Sequence, residues 1–176
     1  MNKQEITKKL IENHTAFADM IIGLNDTDFM FSFNNKWTAG QQLDHIYRSV
    51  APVKMAFTLP KFIPGLLFGK ANRLSKDYDS LVEKYLLKLG AGGVAPGKFV
   101  PPIISINQKE QLKKQLLKTV QTLTKKINRH TESQLDEYIL PHPLLGKLTM
   151  REMLFFTIHH VEQHHAITLR NLQNKL

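Results

Sequence analysis

The chain has 176 residues, a net charge of +9 and no cysteine. A chain of this length can bury a core without staples and reads as a single domain over residues 1–176. The missing cysteines exclude disulfides, iron–sulfur clusters, thiolate zinc sites and a cysteine nucleophile, so any metal must be held by His, Asp or Glu.

The opening residues Met1-Asn2-Lys3-Gln4-Glu5 have no apolar run behind their charges, unlike a secretory signal. A first helix is expected over Lys3–Leu24, where Ile6, Leu10, Phe17, Ile21 and Leu24 share one face. Asn25-Asp26-Thr27-Asp28 reads as the turn that ends it. Thr38 and Gln41 form a capping-box pattern behind Trp37, so a second helix should begin there. Its seam is Leu43, Ile46, Val50, Val53 and Phe57, and Pro52 inside it predicts a kink.

Between Pro60 and Pro102 prolines and glycines break the pattern twice. Leu81, Tyr85 and Leu89 predict a shorter helix over Lys76–Leu89. The rest is expected to be a long excursion that lines or covers a site, because long loops in compact domains are commonly functional. Leu112, Leu116, Val120, Leu123 and Ile127 predict a helix over Gln108–His130. Its lysines (Lys109, Lys113, Lys114, Lys118, Lys125, Lys126) read first as a solvated face and second as a nucleic-acid face. Thr149 and Glu152 cap a last helix that runs to Gln173. No alternating run is long enough to predict a sheet, and no stretch reaches the roughly 18 apolar residues of a membrane span. The expectation is an all-α four-helix bundle with a long insertion between its second and third core helices, without a membrane partner and located in the cytoplasm.

The chemistry concentrates in His159-His160-Val161-Glu162-Gln163-His164-His165. His160 and His164 lie four apart, so they stack on one helix face and can share an ion. They continue the stripe of Met153, Phe156 and Ile167, which should point inward. An open site needs a third ligand, and His45 in the second helix is the best candidate. An imidazole beside an apolar seam is also often an ordinary half-buried side chain. His159 and His165 flank the pair and read as surface or supporting residues. Glu162 should lie on the opposite side of the helix, so it is not assigned as a general base. The chain has no zincin signature, Gly-x-Ser-x-Gly elbow, phosphate-binding loop or dinucleotide fingerprint.

Three segments resemble the DinB/YfiT-like superfamily of metal-binding four-helix bundles. They are Trp37-Thr38-Ala39-Gly40-Gln41-Gln42-Leu43-Asp44-His45-Ile46, then His142-Pro143-Leu144-Leu145-Gly146-Lys147-Leu148-Thr149, then His160-Val161-Glu162-Gln163-His164. The resemblance implies an up-down-down-up bundle, often a homodimer, in which His45, His160 and His164 hold a divalent ion, commonly nickel or zinc. It implies a metal-dependent hydrolase or a transferase joining low-molecular-weight thiols to electrophiles. The substrate would be a small molecule, and the positive charge favours an anionic one. Met153 stands where many relatives carry Trp, and Ile167 or Thr168 where they carry Gln. His142 reads either as the cap of the turn before the last helix or as a substrate-facing group. No catalytic acid or base is assigned. The other classes are a non-catalytic metal- or ligand-binding module, a basic nucleic-acid-binding module, and a purely structural bundle.

Overall fold

The structure, a computed structural model, describes residues 1–60 and 62–175. Four long helices carry the fold: α1 (Lys3–Gly23), α3 (Ala39–Thr58), α6 (Lys109–Ile127) and α8 (Met150–Gln173). The smaller helices between them are α2 (Asp26–Met30), α4 (Ile63–Phe68), α5 (Tyr78–Gly90) and α7 (Glu132–Glu137). The anticipated caps close α3 and α8. Gln41 N donates to Thr38 Oγ1 at 3.2 Å, and Glu152 N donates to Thr149 Oγ1 at 3.1 Å. The predicted stripes are buried, with Leu10, Phe17, Leu43, Leu116 and Leu123 inaccessible to solvent.

Cross-links between helices fix their directions. Lys113 of α6 pairs with Asp19 near the end of α1 at 2.8 Å, and Lys3 at the start of α1 donates to Glu132 beyond the end of α6. These two helices are therefore antiparallel. Arg151 at the head of α8 donates to the Met1 carbonyl, and Lys175 beyond its foot pairs with Asp28, so α8 runs with α1. The rings of Phe57 and His130 meet at 5.3 Å, which brings the ends of α3 and α6 together. The result is the up-down-down-up bundle, with α1 and α3 each packed mainly on α6 and α8. No helix among the described residues is long and apolar enough to cross a membrane.

Four local features depart from the sequence reading. Residues 25–28 do end α1, but Asn25 also caps α2 by accepting from Asp28 N at 2.9 Å, because a turn former serves equally as an N-cap. The helix expected to reach His130 stops at Ile127, and Thr131 starts α7. A β-hairpin, β1 (Ile139–His142) antiparallel to β2 (Gly146–Thr149), stands where no sheet was expected. Each strand has only four residues, too few for alternation to register, and Gly146 supplies the left-handed turn at φ +77°. The excursion also contains α4, a short helix begun by Pro64 in its first turn.

The excursion is anchored. Glu152 is fully buried and takes both guanidinium nitrogens of Arg73 at 2.6 and 2.8 Å, the Lys76 N–H at 2.7 Å and the Thr149 N–H at 2.9 Å. Burial alone would raise its pKa, but Arg73 and the two N–H groups hold it below the usual carboxylate value. Farther along, a Cβ on Gly93 would stand 2.7 Å from both the Leu144 side chain and the Lys88 carbonyl, so only glycine lets the excursion close onto the hairpin.

His14 of α1 is a fully buried polar group whose Nδ1 donates to the Leu10 carbonyl at 2.7 Å. Burial pushes its pKa from an ordinary 6.5 to about 4, and the hydrogen bond only partly opposes this. Between those values the unfolded chain binds a proton that the folded chain refuses. Stability present above pH 6.5 is therefore lost as pH falls toward 4. His14→Leu removes roughly 3 kcal/mol of this acid sensitivity. Thermal melts across pH 7 to 4.5 should show a shallower loss for the variant than for the parent.

Candidate metal centre

Because α3 and α8 are antiparallel, one turn along each helix meets the other in register. His160 and His164 sit a turn apart on α8 with ring centroids 4.6 Å apart. The His45 ring lies 5.0 Å from the first and 4.6 Å from the second. One ring nitrogen from each residue falls within 4.8 Å of the others, and His45 Nε2 is 3.2 Å from His160 Nε2. Exposure is 3%, 6% and 8% for His45, His160 and His164. All three histidines singled out in the sequence therefore meet at one point.

Hydrogen bonds behind the rings fix which nitrogens face inward. His45 Nδ1 donates to the Phe99 carbonyl at 2.8 Å, which leaves the Nε2 lone pair free. His164 Nδ1 donates to Gln42 Oε1 at 2.5 Å, with the same consequence. Such outer partners orient metal-binding imidazoles and set their tautomer. Burial drives the His164 pKa down to about 3, helped by His45 beside it. Burial likewise holds His160 well below its ordinary value, and its neighbours His164 and His45 lower it further. His45 is lowered by burial, partly countered by the Phe99 carbonyl and by Asp44. Neutral imidazoles are the form that binds a divalent ion, and His45 and His164 turn Nε2 lone pairs toward His160. Two nitrogens on one tetrahedral zinc stand about 3.3 Å apart, close to the observed 3.2 Å. The donor set fits a divalent ion.

Aromatic rings surround the cluster. Trp37 packs 4.8 Å from the His45 ring and stacks over His164 at 6.3 Å. Phe156 stacks on His160 at 4.8 Å and meets the edge of His142 at 4.2 Å. A cavity of about 600 Å³ opens on the histidines, with Val94, Pro96, Lys98 and Phe99 of the excursion in its wall. The excursion thus lines the site, as its length and composition led us to expect.

The remaining residues divide clearly. Glu162 points away from the cluster, accepting from Asn13 at 2.6 Å and from Tyr78 Oη at 2.8 Å. His159 lies 3.8 Å from Glu162, and His165 packs against Phe17 of α1. Met153 and Ile167 line the cavity, whereas Thr168 donates to the His164 carbonyl within its own helix. His142 both caps and lines: its Nδ1 accepts from Leu144 N and Leu145 N at 3.2 and 3.0 Å, while its ring borders the cavity. Among the described residues that line the cavity, none is acidic.

Two supports escaped the sequence reading. Gln42 lies three residues before His45, and that spacing on a capped helix could have found it. Phe99 acts through its backbone carbonyl, for which no residue type is a signal. Gln42→Leu should leave the three ligands in place and weaken zinc binding about 10- to 100-fold, as removing an outer-shell partner does. A competition titration against a chromophoric chelator measures this.

A family model for the DinB superfamily matches residues 11–168, a span that includes His45, His160 and His164. No curated protein and no solved structure gives a match. The family match covers most of the chain and agrees with the bundle and its buried three-histidine group: the protein belongs to the DinB superfamily.

Proposed function

We propose that the chain acts as one metal-dependent enzyme domain whose divalent ion, nickel or zinc, is held by His45, His160 and His164. The observation that carries this reading is the pair of hydrogen bonds that His45 and His164 donate to the Phe99 carbonyl and to Gln42 Oε1, which spend the outer nitrogens of two rings and aim the inner ones at a common point. When bound, an ion held by three neutral ligands keeps its full charge and supplies Lewis acidity to a carbonyl, a water or a thiol. Trp37 and Phe156 shield the cluster from bulk water, which strengthens electrostatic effects there.

Transfer of a low-molecular-weight thiol to an electrophile fits this cavity better than hydrolysis does. Hydrolysis by a metal site commonly uses a carboxylate to take the proton from water, and no described cavity residue is acidic. A free thiol has a pKa of about 8.5 and is already partly ionised near neutral pH, so it needs no such base. The S–H bond would break with its proton leaving to solvent, the sulfur pair would form the S–C bond, and the bond from that carbon to its leaving group would break, the group departing with the electron pair and taking a proton from solvent. The cysteine-free chain requires that thiol to arrive as a cosubstrate. The acting form is assigned to the cytoplasm, where such thiols stay reduced.

Elemental analysis of the purified protein tests the proposal. The parent protein should carry a near-stoichiometric divalent ion, and His45→Ala and the double variant His160→Ala/His164→Ala should lose it. A double variant with full metal content would end the metal reading. The metal-loaded protein should then consume a thiol in the presence of an electrophilic acceptor, with consumption abolished by the chelator that strips the ion.

A further inference from the structure

The cavity over the histidines is chemically lopsided. Val53, Ala56, Leu89, Val94, Leu144 and Met153 contribute to its wall, and none of their side chains offers a hydrogen bond. Ser49, one turn beyond His45, spends its hydroxyl on the His45 carbonyl at 2.8 Å. Tyr85, Lys98, Gln163 and His142 add polar groups to the lining, and of these His142 is the one whose protonated nitrogen the backbone fixes. Two backbone N–H groups converge on its Nδ1, so the ring proton must sit on Nε2. Among the described residues that Nε2–H has no partner, and it is absent from the sealed, unpaired atoms, which are His14 Nε2, His159 Nε2 and Asn171 Nδ2. The His142 ring is about nine-tenths buried and borders the cavity. It touches Phe156, the ring that stacks on His160, so it stands one ring away from the cluster. A buried donor held in one tautomer and left open on one side is a ready partner for an oxygen acceptor.

We propose that the cavity takes an amphipathic small molecule. Its apolar body lies along the aliphatic wall, and a carbonyl-type oxygen at the histidine end accepts the His142 Nε2–H. Tyr85, Lys98 and Gln163 also border the cavity, and the selection proposed here is for apolar length together with an oxygen acceptor at the histidine end. The proposal rests on the metal reading only for the ion's share of the head group; the apolar wall and the His142 donor exist without it.

Straight-chain hydroxamates from acetohydroxamate to octanohydroxamate test it, titrated into zinc-loaded and metal-free protein. Trp37, the single tryptophan, borders the cavity, and its fluorescence reports occupancy. Each added methylene should tighten binding about three- to fourfold in both forms until the wall is filled. His142→Ala should weaken hydroxamates about tenfold while leaving alkylammonium ions of equal length unaffected, because these offer no acceptor. A flat chain-length series on protein that holds its ion overturns the apolar-body assignment and leaves the metal reading standing. A steep series on protein that takes up no ion does the reverse. Equal weakening of both probe classes by His142→Ala assigns the residue a purely structural role and overturns its part in recognition.

Discussion

The α3–α8 seam runs antiparallel, and from that one constraint the site follows. Gln42 stands opposite His164 and His45 opposite His160, so the step of three on one helix meets the step of four on the other. Parallel packing with His45 in the same place would have carried Gln42 a turn the other way, out of reach of His164. The direction is enforced at the bundle's ends by ties of opposite charge, from Arg151 to Asp136 and Glu132 at one end and from Lys175 to Asp28 at the other. The imidazoles are costly to bury unless every nitrogen has a role. The Phe99 carbonyl and the Gln42 amide oxygen take the outer nitrogens of His45 and His164, and their inner ones are left for a shared ligand.

The excursion between the second and third core helices is a working part of this arrangement. It supplies the Phe99 carbonyl, the near wall of the cavity and, through Arg73, the partner of the buried Glu152. Glu152 has two duties: it closes the capping box of α8 and holds the excursion against the same helix. A change in the excursion therefore reaches His45 directly through Phe99. The hairpin acts similarly from the other side, since its turn fixes the His142 tautomer and its Leu144 packs on Gly93.

Much of this was legible in the sequence where periodicity or local chemistry acts over one helix. The stripes of α1, α3, α6 and α8, the Thr38 and Thr149 caps and the His160–His164 pair all depend on spacings within a few residues. His45 could be named because it rides the α3 seam. The short elements were hidden for physical reasons. A four-residue strand such as β1 cannot display a period, and α2 is written in the residues that also make turns. The Phe99 contact was invisible because a backbone carbonyl carries no residue code, and the Arg73–Glu152 pair because 79 residues separate its members. The positive charge pointed toward anionic ligands, yet it says little about a cavity whose wall is mostly aliphatic and aromatic.

The central claim is that three imidazoles from two separated helices converge on one cation, with the outer nitrogens of His45 and His164 already committed. A crystal of the nickel- or zinc-loaded protein, measured at the absorption edge of that metal, tests this most directly. The account requires a single anomalous peak bonded to one nitrogen each of His45, His160 and His164, with Nδ1 of His45 on Phe99 and Nδ1 of His164 on Gln42. A peak elsewhere on the protein, or rings turned so that these outer nitrogens face the ion, would contradict it.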